Sequence, residues 1–145
     1  MGCSNQEFAY NEKTTELFLD EMKLIDDYQE TFSDSNLVFR PDAVEVISLD
    51  TKAYNLQHNS QQAIENMNDL NPSEEAKSFH EAVLAYFNKI KAYGATAKKL
   101  LAADSVAKRP LYFRLKTEYE AINQMPDQVL SIQKRYLDRV GIKAK

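Results

Sequence analysis

Hydrophobic residues recur at intervals of three and four along most of the chain, with the pattern interrupted at three places. Such spacing marks one face of a helix; a half-buried strand would alternate instead. The first segment, about 11–33, carries Leu17, Phe18, Leu24, Ile25, Tyr28 and Phe32 on one face. Its first turns are loaded with Glu12, Glu16, Asp20 and Glu21, where the helix dipole favours negative charge. Ser33-Asp34-Ser35-Asn36 is a turn cluster that ends it. The second segment, about 42–70, opens at Arg40-Pro41-Asp42 and follows Val44, Ile47, Thr51, Tyr54, His58, Gln61, Ile64 and Met67. The middle of that stripe is polar.

The third segment, about 72–104, has the clearest start. Asn71 is placed to cap, Pro72 suits a first helical position, and Glu74 stands three residues on, as in a capping box. Its stripe is Ala76, Phe79, Val83, Tyr86, Phe87, Ile90, Tyr93, Ala97, Leu100 and Leu101. Gly94 interrupts it at a cost of about 1 kcal/mol, which suggests a close helix approach or a bend. The fourth segment, about 110–140, carries Leu111, Leu115, Tyr119, Ile122, Val129, Ile132, Tyr136 and Val140, and Gly141 is placed to terminate it. Pro126 lies inside, where it removes one backbone hydrogen bond and crowds the preceding turn. A kink or break is expected near it.

Segments of this length would be about 35 to 48 Å long at 1.5 Å per residue. Short connections make neighbours antiparallel, so the expected fold is all-α, an up-down-up-down four-helix bundle. A stack of two helical hairpins is the alternative. Composition agrees: three glycines and four prolines in 145 residues suit a few long helices better than the many tight turns of a sheet. No apolar run approaches the ~20 residues needed to span a bilayer.

The net charge of −4 divides unevenly. Residues 1–40 carry −6, residues 41–72 carry −4, and residues 105–145 carry +5. The arrangement predicts acidic helices beside basic ones, the first bordering the fourth. The basic residues are interleaved with Glu118, Glu120, Asp127 and Asp138, a poor stripe for nucleic acid.

The chain offers little catalytic chemistry. Lys77 and Asn55 occupy the positions three before His80 and His58, so neither histidine completes a Glu-x-x-His pair, and no zinc or haem spacing occurs. There is no glycine-rich phosphate loop and no Gly-x-Ser-x-Gly elbow. The sequence therefore predicts no enzyme, no metal and no cofactor. Two readings of a binding role exist. His58 falls on the assumed inward stripe, so Tyr54, His58 and Gln61 could line a small polar pocket. Tyrosines and phenylalanines gather in the last two segments, which could form a ligand cleft or fill the core rim with hydroxyls in water.

Cys3 is the only cysteine, so it cannot close a disulfide within the chain. Gly2-Cys3-Ser4 resembles the end of a bacterial lipobox followed by the first residues of a mature lipoprotein. The resemblance implies a diacylglycerol on the Cys3 sulfur, residues 1–10 as a tether, residues 11–145 as the bundle, and Met1 as a start replacing a signal peptide. It also implies an address in the bacterial cell envelope, outer membrane or cell surface. N-myristoylation at Gly2 fits less well, since Gln6 stands where Ser or Thr is wanted. A stray exposed thiol is the third option. The layout is similar to that of small helical-bundle envelope lipoproteins, which implies a membrane partner through Cys3 and a protein or glycan partner on the bundle.

Overall fold

The computed structural model describes the backbone of residues 2–142 and the side chains of residues 5–142. Met1 and the Cys3 side chain, which carry the readings of a translational start and a lipid, lie outside what is described. Five helices form among the described residues: α1 (Gly2–Phe32), α2 (Ser35–Phe39), α3 (Ala43–Asn68), α4 (Lys77–Ala102) and α5 (Ser105–Val140). They pack against one another, and no strand occurs among the described residues.

Several boundaries differ from the sequence expectation, each for a local reason. α1 is helical already at Gly2, so the stretch expected as a tether continues the helix into the body, where Tyr10 is buried. The turn cluster after α1 contains a short helix. Asp34 caps α2 by accepting from the Leu37 N–H, and Val38 in its second half is fully buried. α3 opens on a reciprocal capping box: the Asp42 carboxylate accepts from the Glu45 N–H at 2.8 Å, and the Glu45 carboxylate accepts from the Asp42 N–H at 2.9 Å.

The α4 start moves from Pro72 to Lys77. Ser73, not Asn71, supplies the side-chain oxygen there, accepting from the Ala76 N–H at 3.3 Å, and residues 74–76 form a turn that leads into the helix. α5 starts at Ser105, before Pro110, because Asp104 accepts from the N–H groups of both Val106 and Ala107. It continues through Pro110 and Pro126 without a break. Proline's fixed φ is compatible with a helix, and Ile122 and Val129 are buried on either side of Pro126, holding the two turns on one surface. Gly141 ends α5 at φ +76°, a left-handed conformation suited to glycine, with the Ile142 N–H reaching back to the Leu137 carbonyl.

α4 is the central element. It packs against α3 and α5, and α1 lies across α3 and α4 while touching α5. Paired positions fix the relative register. Between α1 and α3 the Ser60 hydroxyl meets Glu21 and the Lys52 ammonium meets Thr31. Between α3 and α4 the Lys91 ammonium meets Gln61, whereas Gly94 abuts Gln57. In each pairing one partner's number rises as the other's falls.

The α4 stripe is buried as its spacing predicts: Phe79, Val83, Phe87, Ile90, Ala97 and Leu100 are closed off from solvent. α3 is the exception. Its buried positions are Leu49, Ala53, Leu56, Ser60, Ala63 and Met67, whereas Val44, Ile47 and Tyr54 are 76%, 68% and 59% exposed. Of the stripe expected to face inward, only Met67 is buried and most of the others lie on the outer face. The reason is space. A Cβ on Gly94 would stand 3.1 Å from the Leu56 Cβ, and helices that approach this closely favour alanine and serine over larger side chains at the contact.

Candidate functional site

Because the inner face of α3 is the Ala53–Ser60–Ala63 side, Tyr54 and His58 point away from the core. They stack on each other in the open, ring centroids 5.4 Å apart and planes 10° from parallel. Gln61 is drawn elsewhere: its Oε1 accepts from Lys91 at 2.6 Å and its Nε2 donates to Glu65 at 3.1 Å. The three residues do not line one enclosed pocket. Tyr54 alone borders a groove of about 380 Å³, together with Asp50, Lys98, Leu101 and Ala102.

The tyrosines behave differently from a solvated rim. Tyr86, Tyr93 and Tyr136 are buried to within 2% of full closure. Tyrosine hydroxyls also tie α1 and the turn after it to α4 and α5. The Tyr112 hydroxyl donates to the Ser33 carbonyl at 2.7 Å, Tyr119 to the Asp26 carboxylate at 2.9 Å, and Tyr136 to the Glu7 carboxylate. Tyr10 of α1 hydrogen-bonds His80 Nδ1 of α4 at 2.7 Å. Gln133 adds a fork, its Nε2 donating to both Asn11 and Thr15. The acidic first helix thus borders the basic last one as its charge predicts, but the bonds are hydroxyl and amide contacts. Among the described residues the one ion pair is Arg114–Glu118, within α5 itself.

Burial raises the Tyr10 hydroxyl to about 12, with the Glu7 charge adding to it and the Thr14 hydroxyl opposing. Burial, the Asp26 hydrogen bond and the Asp26 charge lift Tyr119 to about 12 as well. These phenols stay protonated at neutral pH, suited to structural bonding and unsuited to proton transfer. His80 is buried instead of lying on the surface beside the core stripe, and desolvation lowers its pKa against the opposing pull of Glu81.

Glu21 is the one buried acid among the described residues, 5% exposed. The fully buried Ser60 hydroxyl donates to its Oε2 at 2.7 Å. Desolvation raises its carboxyl from 4.5 to about 6, with the Ser60 bond holding it down and Asp20 pushing it further up. Sequence spacing missed this pair because Glu21 reads as a first-turn surface acid and Ser60 as part of a polar stretch.

A cavity of about 100 Å³ opens between α1, α4 and α5, lined by Phe32, Tyr93, Leu115 and Tyr119 with Gln29 and Lys116 at its polar side. The Gln29 Oε1 is buried without a hydrogen-bond partner among the described residues. An unpaired acceptor beside three aromatic rings could take a donor from a small group, with room for roughly three waters. Among the described residues no cluster of three or more His, Cys, Asp or Glu could hold a metal. Comparison with protein-family models, with curated proteins and with solved structures finds no match for this chain.

Proposed function

We propose that this chain is a non-catalytic, lipid-anchored protein of the bacterial cell envelope, at the outer membrane or cell surface, whose helical body serves as a binding or structural module. The observation that carries the reading is Cys3, the sole thiol, set in Gly2-Cys3-Ser4 at the very start of α1. Among the described residues no helix is long and apolar enough to cross a membrane, so attachment would run through the lipid. Stable anchoring takes two or more acyl chains, each buried methylene contributing about 0.8 kcal/mol.

In this reading α1, α3, α4 and α5 make an antiparallel up-down-up-down four-helix bundle, with α2 in the first connection. The opposed numbering of the paired residues supports that topology, as do the tyrosine contacts from Tyr112, Tyr119 and Tyr136 to Ser33, Asp26 and Glu7. The lipid end then sits beside the end of α5. The far end carries the exposed Val44, Ile47 and Val106, an apolar surface available to a protein or glycan partner. Helical continuity from Gly2 onward would hold the body upright on its anchor instead of on a loose tether.

Metabolic labelling tests the anchor. The full precursor should incorporate palmitate and a Cys3→Ser precursor should not. Labelling of the serine variant, or none in the parent, overturns the proposal.

A second reading, a small ligand held on α3, has the Tyr54 groove in its favour. Tyrosine fluorescence of Tyr54→Ala against the parent, titrated with candidate ligands, separates the two: a response lost only in the variant supports the groove.

A further inference from the structure

We infer that Arg135 and Arg139 form a phosphate-binding site at the end of the molecule where α4 begins and α5 ends. An open cleft of about 200 Å³ lies there, bordered by the exposed Glu75, Ser78, Arg135 and Arg139 over a floor of Phe79 and Tyr136. Both floor rings are 1% exposed, and they stack with centroids 5.7 Å apart at 20°. A floor packed this way keeps its shape.

Arg135 and Arg139 are one helical turn apart on α5, so their side chains share a face. Neither guanidinium forms an ion pair among the described residues, not even with Glu75 across the cleft. Two unpaired forks on one small cleft suit a group with several acceptor oxygens in tetrahedral array, and arginine binds phosphate through paired N–H donors.

The opposite wall adds donors. Ser78 brings its hydroxyl, and the α4 cap residue, Ala76, has no side-chain oxygen to spend on the first-turn N–H groups. The N–H groups of Ser78 and Phe79 find no acceptor among the described residues, and a helix start left open in this way favours an anion. Glu75 on the lining and Glu7, held by the Tyr136 hydroxyl, oppose an anion here and set the affinity below what the arginines alone would give.

The site lies at the Cys3 end, since Tyr136 on its floor also grips Glu7 near the start of α1. If the lipid-anchor reading holds, the phosphate of a membrane headgroup is the nearest source; a soluble phosphate ester offers the same chemistry. The arginine site itself does not depend on the anchor.

The test uses the full chain without acylation. Titration calorimetry with inorganic phosphate, and flotation with vesicles of equal parts phosphatidylcholine and phosphatidylglycerol, read the two sources. The parent should bind at least one probe, and Arg135→Gln/Arg139→Gln should weaken that binding about tenfold or more. Glu75→Gln should tighten it, an outcome that misfolding cannot mimic. Loss on vesicles alone assigns the headgroup, and loss with inorganic phosphate assigns a soluble ester; both support the site. Binding of neither probe by the parent overturns it. So does an equal loss in Lys98→Gln/Lys99→Gln, which removes the same charge at the far end. Failure of palmitate labelling with retained phosphate binding would remove the anchor and leave this site standing.

Discussion

Gly94 of α4 lies so close to Gln57 of α3 that an added Cβ would stand 2.9 Å from the Gln57 Cγ and 3.1 Å from its backbone nitrogen. The Gln57 side chain can swing away, but the α3 backbone and the fully buried Leu56 cannot. Alanine gains about 1 kcal/mol of helix propensity over glycine, while overpacking costs about 1–3 kcal/mol. Gly94→Ala should therefore lower stability by roughly 1 kcal/mol in a urea melt, and Gly94→Val by more. A stabilised alanine variant would mean that α3 and α4 separate easily.

The hydroxyls joining α5 to α1 should be separable by position. Tyr112→Phe removes the donor to the Ser33 carbonyl and should cost about 1 kcal/mol. Tyr136→Phe removes the donor to a carboxylate and should cost more, about 1.5–3 kcal/mol. Hydrogen exchange should quicken around Glu7–Tyr10 in the second variant and around Phe32 in the first. Uniform quickening in both would deny that the bonds act locally.

Glu21 makes stability depend on pH in the direction opposite to a salt-bridged acid. Its carboxyl binds a proton more tightly in the folded protein, near 6, than at its ordinary value of 4.5. Stability therefore falls as pH rises from 4.5 to 6, and above that the cost is fully present, about 2 kcal/mol. Glu21→Gln keeps an acceptor for Ser60 and removes the charge. It should gain stability over the parent above pH 6 and lose that advantage at pH 4.5, as read by denaturant melts at both pH values.

Pro126 sits in the interior of α5 and is partly exposed, so its ring fills little of the core. Pro126→Ala restores an N–H to the helix and should raise the melting temperature, the upper limit being about 3 kcal/mol of propensity. A lower melting temperature would show that the proline shapes α5 to fit its neighbours.

The sequence made α4 legible because its one wide apolar face has no rival: Phe79, Val83, Phe87 and Ile90 leave no ambiguity about what is inside. α3 was illegible for the converse reason. Val44, Ile47 and Tyr54 on one side and Leu49, Leu56 and Met67 on the other both recur at helical spacing. Hydrophobicity favours neither, and the choice falls to the small residues Ala53, Ser60 and Ala63, which fit against Gly94 of a helix elsewhere in the chain. The inward placement expected for Tyr54 and His58 followed from choosing the Val44–Ile47–Tyr54 face. Likewise Asn71 is a good cap by residue type, but the turn at residues 74–76 carries the chain past it and leaves Ala76, which has no side-chain oxygen, at the cap of α4.

The partners that secure the first turns of α1 have an order in time. A ribosome makes Glu7, Asn11 and Thr15 at the outset, yet Gln133 and Tyr136, which hold them, come near the end. Phe18 can meet Tyr86 well before that. At about 5–20 residues per second, the stretch between Tyr86 and Tyr136 takes several seconds to synthesise. Through that interval Tyr10 has His80 of α4 to hold it, but Glu7, Asn11 and Thr15 lack their partners and stay open to an enzyme or chaperone that acts on a nascent chain. Once α5 arrives, the opening shuts.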